Sequence, residues 1–113
     1  MEREARTLLQ DVQGAITHIE AFTAERSLAD YQQDVLLRSA VERQFTIVGE
    51  AVSQLSRRHP DVAARITDWR DIIDFRNLLV HGYAAINDRL VWETANDDLP
   101  VLRREIEALL AEG

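Results

Sequence analysis

The sequence contains no cysteine and no lysine, and it has little proline, glycine or aromatic residue. Without cysteine, neither a disulfide framework nor thiolate chemistry is available. The three histidines, His18, His59 and His81, stand too far apart for the usual spacing of metal ligands. No apolar run approaches the roughly 20 residues of a membrane-spanning helix, and the acidic start is unlike a signal peptide. We therefore expect a cytoplasmic protein without a membrane partner, a metal or a cofactor.

The charge is one-sided. All 13 basic residues are arginines, the chain has 20 acidic residues, and the net charge is −7. Proteins that bind nucleic acid usually present a basic surface. Any nucleic-acid site in this chain must therefore be a local positive cleft in an acidic body, where arginine suits bidentate contact with phosphate. The acidic remainder is available for a protein partner or for solubility.

Apolar residues recur at helical spacing along the chain, and no stretch alternates as a strand does. A length of 113 residues suits a single domain, residues 1–113, with one modest core. The connections are short, so the pattern predicts an all-α antiparallel bundle of four to five helices. The predicted helices run from about Glu2 to Phe22, Ser27 to Arg58, Thr67 to Val80 and Asp88 to Glu112.

Capping residues mark several of these boundaries. Ser27, with an aspartate three residues later, predicts a capping box, and Thr67 is a suitable N-cap for the third long helix. Pro100 should kink or divide the last helix. Asn96 or Asp97 would then cap its second part, with the proline in the first turn.

The stretch RNLLVHGY contains four side chains suited to catalysis or binding, an arginine, an asparagine, a histidine and a tyrosine, in an otherwise apolar segment. Arg76 projects from within the apolar arc of its helix, where a charge is costly unless it is paired. Asn77 and His81 are four residues apart and are therefore neighbours on the opposite side, which also carries Asp74. Tyr83 follows just after Gly82, a natural helix stop.

A second feature lies in the preceding long helix. Gly49 in mid-helix costs about 1 kcal/mol relative to alanine, so a close helix crossing is expected at that point. Glu50 beside it is the first candidate for a carboxylate that meets Arg70 or Arg76. A solvated glutamate is the alternative interpretation.

Arg-x4-His-x-Tyr, with Asn directly after the Arg, resembles the signature of HEPN-domain proteins, above all the HepT-like toxins. IVGEAVSQL is similar to the Gly-Glu-Ala segment of that family, and ITDWRDIIDFRNLLVHGY is similar to its Trp-led core helix. The run from Ile86 to Leu102 is similar to its C-terminal helical region. The matching segments follow the order of that family, and the resemblance, which extends over nearly the whole chain, implies an HEPN-like fold. Asp68 departs from the pattern, since a proline is expected there.

The resemblance implies a metal-independent ribonuclease with a composite site at a homodimer interface. It also implies a toxin whose partner is a minimal nucleotidyltransferase antitoxin of the MntA type, which transfers AMP from ATP to the tyrosine of the motif, with higher hetero-oligomers possible. On this basis we assign catalysis to Arg76 and His81, support to Asn77, Glu50 and Asp74, and modification to Tyr83.

A dimer also answers a geometric difficulty. In an ideal helix Arg76 and His81 lie about 140° apart, so one copy does not present them on one face. Two copies of the core helix about a twofold axis would bring two pairs into one cleft. Two other interpretations stay open. One is a non-catalytic helical module that positions a nucleotidyltransferase, which the acidic charge favours, and the other is a dimeric bundle in which Arg76 and His81 stabilise the interface.

Overall fold

The computed structural model describes residues 1–82 and 86–112, and within these ranges the chain is helical and contains no strand. The all-α prediction is confirmed. None of the described helices is long and apolar enough to cross a membrane. The helices are α1 (Arg3–Thr23), α2 (Leu28–Gln33), α3 (Val35–Arg58), α4 (Pro60–Ala63), α5 (Trp69–His81), α6 (Asp88–Glu93), a π-helical turn (Thr94–Asp98) and α7 (Leu99–Ala111).

The helices α1 and α3 form the centre of the bundle and run antiparallel. At one end, Glu4 Oε1 lies 3.0 Å from Nε2 of His59, the residue that follows α3. Further along, His18 of α1 faces Gln44 of α3. The pairing with His59 is the first cause that holds the pKa of the Glu4 carboxyl below its usual value. Helix α7 packs on α1, and α5 packs on α3.

The core lies between α1, α3 and α7, because each buries one apolar stripe against the others. Tyr31 of α2 is also fully buried, and its ring lies 5.5 Å from that of Trp92. Its hydroxyl has no hydrogen-bond partner among the described residues. Burial therefore raises the pKa of this phenol.

The prediction of one continuous helix from Ser27 to Arg58 is wrong. The helix begins as expected, because Ser27 and Asp30 form a reciprocal capping box. It does not continue to Arg58, since Asp34 leaves the helical conformation and accepts a hydrogen bond of 3.1 Å from the N–H of Leu37. An aspartate side chain that bonds nearby backbone N–H groups competes with helix continuation. The predicted single helix is therefore two helices, α2 and α3.

The C-terminal helices differ from the prediction in their capping residues. Pro100 lies in the first turn of α7, as predicted, where the N–H that proline lacks is not needed for a hydrogen bond within α7. The predicted caps Asn96 and Asp97 are wrong, because both lie inside the π-helical turn that joins α6 to α7. The side chain of Asn96 donates instead to the carbonyl of Trp92 at 2.8 Å.

The start of α5 is decided by a distant residue. Thr67 was expected to cap this helix, but its backbone N–H and its hydroxyl both donate to the Glu105 carboxylate of α7, at 3.0 and 2.6 Å. The N-cap is Asp68, whose φ of 55° is left-handed and whose side chain makes no capping hydrogen bond. That conformation costs about 1–2 kcal/mol for a residue other than glycine. The contact with α7 therefore fixes where α5 begins.

Candidate functional site

Helix α5 carries most of the predicted site, and it lies at the outside of the bundle. Its main packing partner among the described helices is α3. Only Leu79 of its thirteen residues is buried. Its other apolar side chains are half-buried: Trp69, Ile72, Ile73, Phe75, Leu78 and Val80. The single chain thus leaves part of an apolar helix face uncovered.

The close crossing expected at Gly49 is confirmed, and its partner is Arg76. A Cβ added to Gly49 would lie 2.2 Å from Cβ of Arg76 and 2.7 Å from its Cγ. The carbonyl oxygen of Ile72 would be 3.4 Å away. Glycine is therefore required for α3 and α5 to approach this closely. The sequence indicated the crossing from the glycine alone but gave no sign of which residue it meets.

This crossing fixes the Cβ and Cγ atoms of the Arg76 side chain against α3. The residue is half-buried, and its Nε is buried without a hydrogen-bond partner in the described ranges. None of the ion pairs among residues 1–82 and 86–112 includes Arg76. A guanidinium whose stem is held while its charge lacks an internal partner is suited to an anionic group from outside the chain.

His81 is the last residue of α5 and is exposed. The helix ends there because Gly82 follows, whose N–H donates to the carbonyl of Leu78 at 2.8 Å. A Cβ on Gly82 would lie 2.8 Å from that same carbonyl oxygen, so the close turn requires glycine. The imidazole is therefore accessible at a helix end that Gly82 fixes.

The supporting residues lie at the surface. Asn77 and Asp74 are exposed on α5, and Glu50 is exposed on α3 directly after the crossing glycine. The expected ion pair of Glu50 with Arg70 or Arg76 is absent from the part of the chain that the structure describes. The guanidinium of Arg70 instead lies 4.2 Å above the Trp69 ring, on its own helix.

One predicted site residue, Tyr83, lies outside the described residues. Within the ranges 1–82 and 86–112, no three or more histidine, aspartate or glutamate side chains are close enough to hold a metal ion together. The two predicted catalytic residues thus lie on one outer helix, Arg76 at its crossing with α3 and His81 at its end. They do not form a hydrogen bond with each other in the single chain.

Comparison with known proteins gives a consistent result. The family model described as "Ribonuclease HepT-like" matches residues 12–109. A protein of Thermococcus cleftensis named as a probable ribonuclease HepT is 33% identical over 113 residues, which is 96% of this chain and 98% of that protein. A protein of Caldanaerobacter subterraneus named as a candidate RNase is 28% identical over 91% of this chain and 88% of its own length. No solved structure gave a significant match.

Proposed function

The chain belongs to the HepT-like ribonuclease family, and we propose that it is a metal-independent endoribonuclease that acts as the toxin of a toxin–antitoxin pair. The observation that carries the proposal is the guanidinium of Arg76, held at the crossing and without an ion pair among residues 1–82 and 86–112, five residues before an exposed histidine at the end of the same helix. RNA cleavage needs both a fixed cation and a group that titrates near neutral pH. The proposal places the protein in the cytoplasm, with RNA as its substrate.

The active unit is a homodimer through α5. Two observations support this assembly: α5 leaves part of its apolar face uncovered, and Arg76 and His81 are about 140° apart on a single helix. Packing two copies of α5 about a twofold axis on the side of Ile73 and Val80, both half-buried, covers that part of the apolar face and leaves Phe75 outside the contact. It also places two arginines and two histidines in one cleft, so the two residue types need not share a face of one helix.

The chemistry is transesterification within the RNA. One His81 takes the proton of the ribose 2′-hydroxyl, the 2′-oxygen bonds to phosphorus, and the bond from phosphorus to the 5′-oxygen breaks. The second His81 gives a proton to the leaving 5′-oxygen. Arg76 stabilises the charge that develops on the phosphoryl oxygens. The products are a 2′,3′-cyclic phosphate, which can open to a 3′-phosphate, and a 5′-hydroxyl.

The three supporting residues have smaller roles in this scheme. Asn77 lies one turn before His81 and can orient the imidazole or contact phosphate. Asp74 is exposed on the same helix, and Glu50 is exposed on α3 beside the crossing that holds Arg76. We assign these carboxylates to the rim of the cleft, where they limit how RNA enters.

The test is cleavage of an end-labelled single-stranded RNA by the purified protein in EDTA, with the product ends mapped. We expect cleavage without added metal, leaving cyclic phosphate on one fragment and a 5′-hydroxyl on the other. Cleavage that requires a divalent cation, or that leaves a 5′-phosphate, would contradict the mechanism. No cleavage by protein shown by mass spectrometry to be unmodified would favour the non-catalytic binding module.

Tyr83 provides the switch in this proposal. A minimal nucleotidyltransferase of the MntA type transfers AMP from ATP to the phenol oxygen, and pyrophosphate leaves. AMP next to His81 adds bulk and negative charge where the RNA phosphate must lie, so cleavage stops. The antitoxin and the toxin dimer can further assemble into a hetero-oligomer.

Co-expression with such a nucleotidyltransferase should add mass in units of AMP to the peptide that contains Tyr83. The Tyr83→Phe variant should gain no mass, because it has no phenol oxygen. Tyr31 is a control within the same chain, since it is fully buried and its peptide should stay unmodified. AMP on any other residue, with Tyr83 unchanged, would disprove this regulation.

A further inference from the structure

A groove separate from Arg76 and His81 runs along the other side of α5. Helix α5 and helix α7 form its two walls, α3 forms its floor, and the π-helical turn closes one end. Its volume is about 360 Å³. That volume is in the range of clefts that hold a ligand or several side chains of a partner.

Each wall of the groove is as long as a short helix. The lining includes positions 68, 71, 72 and 75 at the start of α5 and along it, and positions 98, 101, 102 and 105 on α7 and the turn before it. Both sets follow the spacing i, i+3, i+4, i+7, so each wall is two helical turns, or about 10 Å, long. A groove of this length accepts the apolar residues that a partner helix presents at the same spacing.

The apolar residues of the two walls are only partly covered. Phe75 is half-buried and meets the ring of Phe45 edge-on, with 5.2 Å between the ring centroids. Ile72 is half-buried as well, and Val101 on the opposite wall is 40% exposed. Covering this surface with apolar side chains of a partner would be favourable.

The rim, in contrast, is acidic. Asp68, Asp71, Asp98 and Glu105 line the groove, and no arginine or histidine is among the described residues that line it. None of these four carboxylates takes part in an ion pair within residues 1–82 and 86–112. Burial, then the charges of Asp97 and Asp68, raise the pKa of the Asp98 carboxyl. A cation that entered the groove would relieve this repulsion.

We propose that this groove docks a helical segment of a partner protein in which apolar residues at i, i+4 and i+7 are flanked by arginine or lysine. The apolar residues occupy the floor, and the cations pair with the carboxylates of the rim. RNA does not fit this surface, because its phosphates would meet the carboxylates. A second copy of the chain does not fit by twofold packing either, since the contact would place each acidic rim against itself.

The experiment uses the full chain and a labelled synthetic helix of about four turns, with leucines at i, i+4 and i+7 and arginines beside them. Binding is measured by fluorescence anisotropy. We expect saturable binding to the wild type and none by a control peptide in which glutamates replace the arginines. Asp71→Arg should weaken binding about tenfold, because it replaces an attraction by a repulsion at the rim.

The matched control is Asp11→Arg, which changes the net charge equally at an exposed position of α1. It should leave peptide binding unchanged. Equal weakening by both variants, or binding of the glutamate peptide, would overturn the proposal. So would dissociation of a dimer of the chain by Asp71→Arg in sedimentation, because the groove would then hold a second copy. Asp71 lies outside the proposed active site, so RNA cleavage by this variant should match the wild type, and the two proposals can fail separately.

Discussion

Loss of RNA cleavage is the expected result of replacing His81 by alanine. General acid–base catalysis contributes about 100- to 10,000-fold in rate, and the proposed mechanism uses this residue in both proton transfers. The rate should therefore fall by at least about 100-fold. The fold should persist, since His81 is exposed at the end of α5 and buries no surface in the core.

The measurement is cleavage of the same labelled RNA in EDTA, beside thermal unfolding followed by circular dichroism. His18→Ala is the matched control, because His18 is also exposed but lies on α1 and stacks on Phe22. It should cleave RNA as the wild type does. Sedimentation of each variant separates catalysis from assembly. If folded, dimeric His81→Ala protein still cut RNA at the normal rate, the proposed mechanism would be wrong.

Gly49→Ala is expected to destabilise the protein and to impair cleavage, although alanine is the better helix former by about 1 kcal/mol. The new Cβ would lie 2.2 Å from Cβ of Arg76, closer than two carbon atoms can approach without bonding. Neither atom is at the flexible end of a side chain, so α3 and α5 must separate. Overpacking of this kind costs about 1–3 kcal/mol and sometimes more. The shift would also displace the guanidinium from its place in the cleft.

Unfolding in urea measures this effect, and Gly14→Ala is the control. Gly14 lies in mid-helix in α1, and a Cβ added there would meet nothing within 4 Å. That variant should gain about 0.5–1 kcal/mol from helix propensity alone. The double variant Gly49→Ala with Arg76→Gly removes the clash and should be more stable than the two single changes predict by addition. A Gly49→Ala protein as stable as Gly14→Ala would contradict the crossing.

The local pattern of the sequence determined much of this protein. Helical periodicity predicted α1 to within one residue at each end, and the box at Ser27 and Asp30 is a short-range arrangement that needs no other part of the chain. The motif that ends α5 at His81 is also local, and with the segments around it the motif indicated the family that the comparisons then confirmed.

Tertiary structure decided what depends on residues far apart in the chain. Thr67 is a good N-cap by its local sequence, but Glu105 offers it two hydrogen bonds from 38 residues away. The glycine in α3 predicted a crossing, and only packing selected Arg76 as the residue that occupies it. The acidic rim joins residues of α5 and α7, which no periodicity within one helix can reveal. Capping and helix period are set by neighbours within a turn or two, whereas these contacts depend on how whole helices pack.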